Sequence, residues 1–266
     1  MIALRTYGEN TEKGTQIMFD CGLVSVSFRQ LEPKEIIELC KNNNIDIIEW
    51  GSDVHAPCDN VDRLKEIVAL QNESGIKCSS YGTYFRLGVH DTNELFTYIK
   101  AAKMLGTTIL RLWCGEKNYE DLSTEERNYI ISESKKAAKI AEDEGVTLCM
   151  ECQNKTFTNC IDGALELMEA VDSPAFRMYW QPNQFRSEEV NIEYARKIAK
   201  YTKVIHVFNW EGKNKYPLSE AVEIWKKYLA CFEGSQTLLL EFMPDGRTET
   251  LSAEAKALRK IRSSFA

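Results

Sequence analysis

The 266-residue chain carries 33 basic and 40 acidic residues, a formal charge of −7, and 44% of it is apolar, enough for one sizeable core. That acidic balance, without clustered Lys and Arg, argues against a nucleic-acid partner, and no apolar run approaches the ~20 residues that span a bilayer. Met1–Thr6 lacks the apolar core of a secretory signal, and nine cysteines, an odd number spread along strands and helices, read as reduced thiols of a cytoplasmic protein.

Residues 1–20 hold two β-like pieces around Gly8 and Gly14, which fit a hairpin closing the bottom of the fold. Beyond them, short β-branched apolar runs alternate with stretches of helical periodicity. The runs are Leu23–Phe28, Ile45–Trp50, Ile76–Tyr81, Thr107–Trp113, Val146–Glu151, Phe176–Gln181, Lys203–Phe208 and Thr237–Phe242. Eight runs recur at a mean spacing of roughly 31 residues, the length of one βαβ step. Pro33 stands at a tolerated early helical position, and Ser123 with Glu126 fits a capping box. Gly75, Gly106 and Gly145 each precede a strand, where a helix takes a left-handed terminator. Several runs are apolar almost throughout, as expected where both faces of a parallel sheet are covered. An open doubly wound sheet would need a Gly-rich fingerprint after its first strand, but Ser27-Phe28-Arg29-Gln30 follows instead. The expectation is therefore an α/β fold, a (β/α)8 TIM barrel of one domain over residues 1–266.

Polar groups interrupt these runs at comparable positions: Glu49, Arg111, Glu151, Gln181, His206 and Glu241. In such barrels chemistry gathers at the carboxyl ends of the strands. Taken singly, His206 reads as a hydrogen-bonded core histidine and Arg111 as a partner neutralising Glu49 or Glu151. Glu241 is harder to account for alone, because a buried carboxylate costs several kcal/mol unless paired, protonated or bound to metal. Two carboxylates, an imidazole and an amide oxygen suit a divalent ion such as Mn²⁺, Mg²⁺, Co²⁺ or Zn²⁺. Cys149 and Cys152 form one CxxC, but no second cysteine pair completes a zinc site, and both read as buried thiols.

The pieces Glu49-Trp50-Gly51-Ser52-Asp53-Val54-His55, Arg111-Leu112-Trp113-Cys114-Gly115, Trp180-Gln181-Pro182, His206-Val207-Phe208 and Leu239-Leu240-Glu241-Phe242 stand in order on successive strands. Here the sequence resembles the sugar phosphate isomerase/epimerase-like proteins of the xylose isomerase-like barrel superfamily, which also contains apurinic endonucleases of the endonuclease IV type. That resemblance implies a divalent metal held by Glu151, Gln181, His206 and Glu241, with Glu151 and Glu241 as the acid/base pair. It also implies a carbohydrate substrate, a sugar, polyol or sugar phosphate, isomerised or epimerised by proton abstraction through an enediolate. Glu49, His55, Tyr81, Arg111, Trp113 and Asn209 are the further residues expected to line the substrate pocket. Lys213, Lys215 and Arg247 lie where many barrels bind phosphate.

Two positions depart from the family pattern. Gln181 stands where the family has Asp, so the ligand set carries one negative charge fewer, and Gln153 stands where a histidine is often found. These departures leave open a catalytically impaired, sugar-binding barrel, and a related lyase or dehydratase would use the same proton abstraction but expel a hydroxyl. The endonucleases need a histidine-rich three-metal site, whereas this chain has only His55, His90 and His206. Barrels of this type often pair as homodimers, but the sequence itself leaves the oligomeric state open.

Overall fold

Each of the eight apolar runs forms a parallel strand in the computed structural model, which describes residues 19–232 and 236–265. The hairpin expected within residues 1–20 falls outside these, apart from Phe19 and Asp20. The strands are β1 (Asp20–Val24), β2 (Ile47–Gly51), β3 (Lys77–Leu87), β4 (Ile109–Cys114), β5 (Thr147–Glu151), β6 (Phe176–Trp180), β7 (Thr202–Val207) and β8 (Thr237–Leu240). They pair in chain order, and β8 closes on β1 with Asp20 beside Thr237, which makes a closed barrel rather than an open sheet. Eight helices alternate with them: α1 (Pro33–Asn42), α2 (Val61–Ser74), α3 (Leu95–Leu105), α4 (Thr124–Glu144), α5 (Ile161–Val171), α6 (Glu188–Ile198), α7 (Val222–Leu229) and α8 (Leu251–Arg262). No helix among the described residues is long and apolar enough to cross a membrane.

Local chemistry sets the helix ends. Pro33 opens α1, and at α4 the Ser123 hydroxyl accepts from Glu126 N–H while the Glu126 carboxylate accepts from Ser123 N–H at 2.8 Å. Gly75, Gly106 and Gly145 end α2, α3 and α4 in the left-handed region, at φ of 75°, 87° and 66°.

Three strands end more than one residue from the expected position. β1 starts at Asp20 and stops at Val24, and Ser25–Phe28 turns into a 3-10 helix. There the Ser25 hydroxyl accepts Gly51 N–H at 2.9 Å and the Ser27 hydroxyl accepts Phe242 N–H at 2.8 Å, so side chains replace the backbone ladder. β3 runs on to Leu87 through a register shift between Gly82 and Arg86, where the Thr83 hydroxyl donates to Arg111 O. β8 stops at Leu240 because Phe242 takes φ 54°, although Glu241 N–H still donates to Val207 O at 3.0 Å.

Two apolar layers result. The larger lies between strands and helices, and it includes Trp50, Tyr81 and Trp180, all fully buried. The smaller fills the barrel, built from Val24, Val26, Cys149, Tyr179, Val204 and Leu239 with Ile47 and Ile109 packed against it.

Candidate metal centre and active site

Side chains alternate across a strand, so the residue two positions after each inner-layer residue also points into the barrel, one level nearer the carboxyl end. Glu49 follows Ile47, Arg111 follows Ile109, Glu151 follows Cys149, Gln181 follows Tyr179, His206 follows Val204 and Glu241 follows Leu239. The structure brings these six together in one polar layer directly above the inner apolar one.

Arg111 ties the layer together. It is 4% exposed; its Nε lies 3.2 Å from Glu49 Oε1 and its Nη1 donates to Glu151 Oε2. Glu49 is fully buried and also accepts from Ser80 Oγ at 3.1 Å and from the Tyr179 hydroxyl. Burial opposes its ionisation, but Arg111, His206 and Tyr179 outweigh that and lower the carboxyl to about 2. Glu151 accepts from Trp113 Nε1 at 2.6 Å through the same oxygen that Arg111 grips. Against the same burial cost, Arg111 and then His206 lower Glu151 to about 2 as well. Gly82 makes the room: a Cβ there would lie 2.9 Å from Arg111 Nη2 and collide with the Glu49 carboxylate.

His206 is the hub on the other side. Its Nδ1 lies 3.0 Å from Gln181 Oε1, 3.6 Å from Glu241 Oε2 and 3.7 Å from Glu151 Oε1. Its Nε2 faces Glu49 Oε2 at 3.7 Å, beyond hydrogen-bond reach, and has no partner. Burial penalises the charged ring, yet Glu241, Glu151 and Glu49 together raise it to about 10. Gln181 turns its amide nitrogen outward, to Cys152 O at 3.2 Å and Gln153 Oε1 at 3.3 Å, which aims its oxygen at the cluster. Glu241 is raised above its ordinary 4.5, first by burial and then by Glu151 and Glu49, with His206 and Arg111 only partly offsetting them.

The donor set fits a divalent cation. Glu151, His206 and Glu241 each offer a ligand atom within 4.8 Å of the others, and the Gln181 oxygen faces the same imidazole nitrogen. Three carboxylates against one guanidinium leave a net charge of −2 when His206 is neutral, which a buried site holds only at high cost. An ion of charge +2 would cancel it. Nitrogen and oxygen donors without thiolate suit Mn²⁺, Mg²⁺, Co²⁺ or Zn²⁺.

Of the other expected pocket residues, Trp113 joins the site through Glu151. Tyr81 does not: strand alternation turns it outward, where its hydroxyl donates to Ala56 O at 2.5 Å. His55 is buried against Trp50, with Nδ1 3.0 Å from Ser25 Oγ, and contacts none of the six. Asn209 caps a two-stranded hairpin, Trp210–Glu211 with Asn214–Lys215, by donating to Pro217 O at 2.9 Å. Lys215 Nζ lies over the Trp210 and Phe242 rings, Arg247 pairs with Glu249 at 3.4 Å, and Lys213 is exposed. Cys149 and Cys152 are unpaired, and burial pushes both thiols up to about 12, so neither is a reactive thiolate. Sequence reasoning passed over Tyr179, Ser80 and Arg86. The signal for Tyr179 was available, since it stands two positions before Gln181.

A closed parallel barrel of eight strands, with its ionisable cluster at their carboxyl ends, defines a TIM barrel. Within that class the chain belongs to the xylose isomerase-like TIM barrel family, whose profile matches residues 37–225. No curated protein matches the sequence. Among solved structures, the probable 3-DHS dehydratase AsbF of petrobactin synthesis from Bacillus anthracis is 18% identical, at a TM-score of 0.74 over 91% of this chain and 99% of its own. The IOLI protein with a bound zinc atom is 17% identical, at 0.72 over 93% and 99%. D-psicose 3-epimerase with D-tagatose, from Clostridium cellulolyticum H10, is 16% identical, at 0.60 over 92% and 96%. At these identities the likeness is one of fold.

Proposed function

We propose that this protein is a divalent-metal-assisted isomerase or epimerase acting on a sugar, polyol or sugar phosphate. The convergence of Glu151, His206, Glu241 and the Gln181 oxygen on one spot at the barrel mouth carries this reading. A bound divalent ion would polarise a substrate carbonyl and its neighbouring hydroxyl. The two glutamates divide the proton work. Glu151, its Oε2 tied to Arg111 and Trp113, stays ionised and leaves Oε1 as the base that takes the proton next to the carbonyl, giving an enediolate. Glu241, whose Oε2 lies 3.6 Å from the same His206 nitrogen that Glu151 faces, is the second carboxylate that would exchange the proton. The epimerase and zinc-bound barrels among the structural neighbours support the same reading, and the dehydratase among them keeps hydroxyl expulsion as an alternative outcome of the same proton abstraction.

The test is solvent exchange. Protein supplied with MnCl2 is incubated in D2O with D-fructose, D-tagatose, D-psicose and their phosphates, and deuterium next to the carbonyl is followed by NMR. Exchange with at least one ketose is expected, falling by roughly 1,000-fold in Glu151→Gln, as for loss of a general base. A chain that retains no divalent ion, with exchange absent or untouched by that substitution, overturns the reading.

The neutral Gln181 favours a second reading, a sugar-binding barrel without turnover. Gln181→Asp is expected to tighten Mn²⁺ binding by about tenfold or more, because an anionic oxygen replaces a neutral one. Calorimetry measures this directly. Exchange that appears only in Gln181→Asp selects the second reading.

A further inference from the structure

Arginines at the barrel mouth differ in one respect. Arg111 is used up by Glu49 and Glu151, and Arg29 by Asp53 and the Tyr84 hydroxyl. Arg86, at the carboxyl end of β3, has no carboxylate within ion-pairing distance among the described residues. It is instead fixed by backbone. Its Nη1 donates to Gly115 O at 2.8 Å and to Lys155 O at 3.4 Å, in the loops after β4 and β5. Its guanidinium carbon lies 4.4 Å from the centre of the Trp113 ring, whose Nε1 in turn donates to Glu151. A half-buried cation is thus held against the tryptophan whose indole bonds Glu151, one of the two proposed acid/base residues.

The remaining donors have a specific geometry. With Nη1 engaged, Nε–H and Nη2–H form the side edge of the guanidinium fork, two parallel donors that match the two oxygens of a carboxylate or phosphate. Neither makes a hydrogen bond to the described residues, and the residue keeps solvent access. Burial lowers Arg86 from its ordinary value in spite of Glu116 and Glu151 nearby, the mark of a cation short of counter-charge.

We propose that Arg86 makes this site selective for an anionic substrate, gripping a carboxylate or phosphate through its free Nε/Nη2 edge while the carbon skeleton reaches Glu151 and Glu241. The proposal rests on the sugar-isomerising reading and narrows it from carbohydrates at large to sugar acids or sugar phosphates. Arg86 is a binding residue here and takes no part in proton transfer.

The experiment is a calorimetric comparison of four probes on the Mn²⁺-supplied protein: D-fructose, D-fructose 1-phosphate, D-fructose 6-phosphate and D-fructuronate. At least one anionic probe is expected to bind roughly tenfold or more tighter than D-fructose, as for a charge-assisted pair. Raising the salt concentration should narrow that gap. Arg86→Gln removes the advantage, weakening the anionic probes far more than the neutral one. Arg86→Lys, which keeps the charge but not the fork, restores only part of it. The better bound of the phosphates and the uronate identifies the anion. Anionic probes no tighter than D-fructose, or an Arg86→Gln protein of unchanged melting temperature that weakens all probes alike, overturn the proposal and leave the isomerase reading standing. Binding of none of the four overturns the proposal, while the solvent-exchange test with the wider set of ketoses decides the isomerase reading separately.

Discussion

Arg111→Met is expected to lower the melting temperature by roughly 10 °C at neutral pH. Removing one partner of a buried ion pair costs about 3–5 kcal/mol, and in a chain of this size each kcal/mol moves the midpoint by about 2–4 °C. The cost is large here because Arg111 serves two buried carboxylates, Glu49 and Glu151, and methionine leaves both without their cation. The loss also has a predictable pH dependence. Both carboxyls are held at about 2, below their ordinary 4.5. A depressed carboxyl stabilises the fold above its unfolded value, and that contribution is lost as pH falls through its folded value. The gap between natural and Arg111→Met proteins is therefore widest near neutrality and closes between about pH 4.5 and pH 2. Thermal melts across that window check it. A midpoint within about 2 °C of the natural chain at pH 7 would mean the pair is not what holds this layer.

Glu241→Gln should act in the opposite direction on stability. Glu241 is raised above its ordinary value, chiefly by burial. A raised carboxyl penalises the fold once it ionises: the penalty is absent below the unfolded value and full above the folded one. Glutamine removes it, so metal-free Glu241→Gln should melt about 3 °C higher than the natural protein near neutrality, with the difference vanishing in acid. Mn²⁺ affinity should meanwhile fall by at least about 100-fold, since loss of a direct ligand exceeds the 10- to 100-fold cost of losing an outer-shell partner. Melts in EDTA and in MnCl2 report both effects, because an ion that binds only the folded state raises its midpoint. A variant that melts lower in EDTA and binds Mn²⁺ undiminished would show Glu241 to be structural. A residue that weakens the empty fold and strengthens the loaded one is kept for its ligand.

Much of this was legible in the amino-acid order. The alternation of β-branched runs and helical stretches located all eight strands, because burial on both faces leaves little room for polar residues. The six interruptions Glu49, Arg111, Glu151, Gln181, His206 and Glu241 converge because strand alternation gives them one orientation. Where the reading slipped, the cause was a local contact between distant segments. β1 ends early because Ser25 and Ser27 bond to Gly51 and Phe242, partners no local propensity encodes. β3 is longer than its apolar run because Thr83 carries it through a bulge. Tyr81 reads as a pocket aromatic, but it stands one position from the inward Ser80 and Gly82, so it faces the helices. His55 followed an informative motif, yet the loop after β2 folds it inward onto Ser25. Arg86 drew no attention because its environment is backbone carbonyls from two later loops, which leave no trace in composition.

The polar layer also bears on how the chain reaches this fold. Glu49 meets Arg111 62 positions later and Tyr179 130 positions later, while Arg111 meets Glu151 40 positions on. A half-barrel of β1 to β4 brings Glu49 and Arg111 together but lacks Glu151, Tyr179 and His206, so that pair stays open to water. Contacts so far apart in sequence slow folding, since the chain loses loop entropy before they form. His206 and Glu241 follow on β7 and β8, and β8 is the strand that pairs with β1. The six side chains therefore all meet only in the closed barrel.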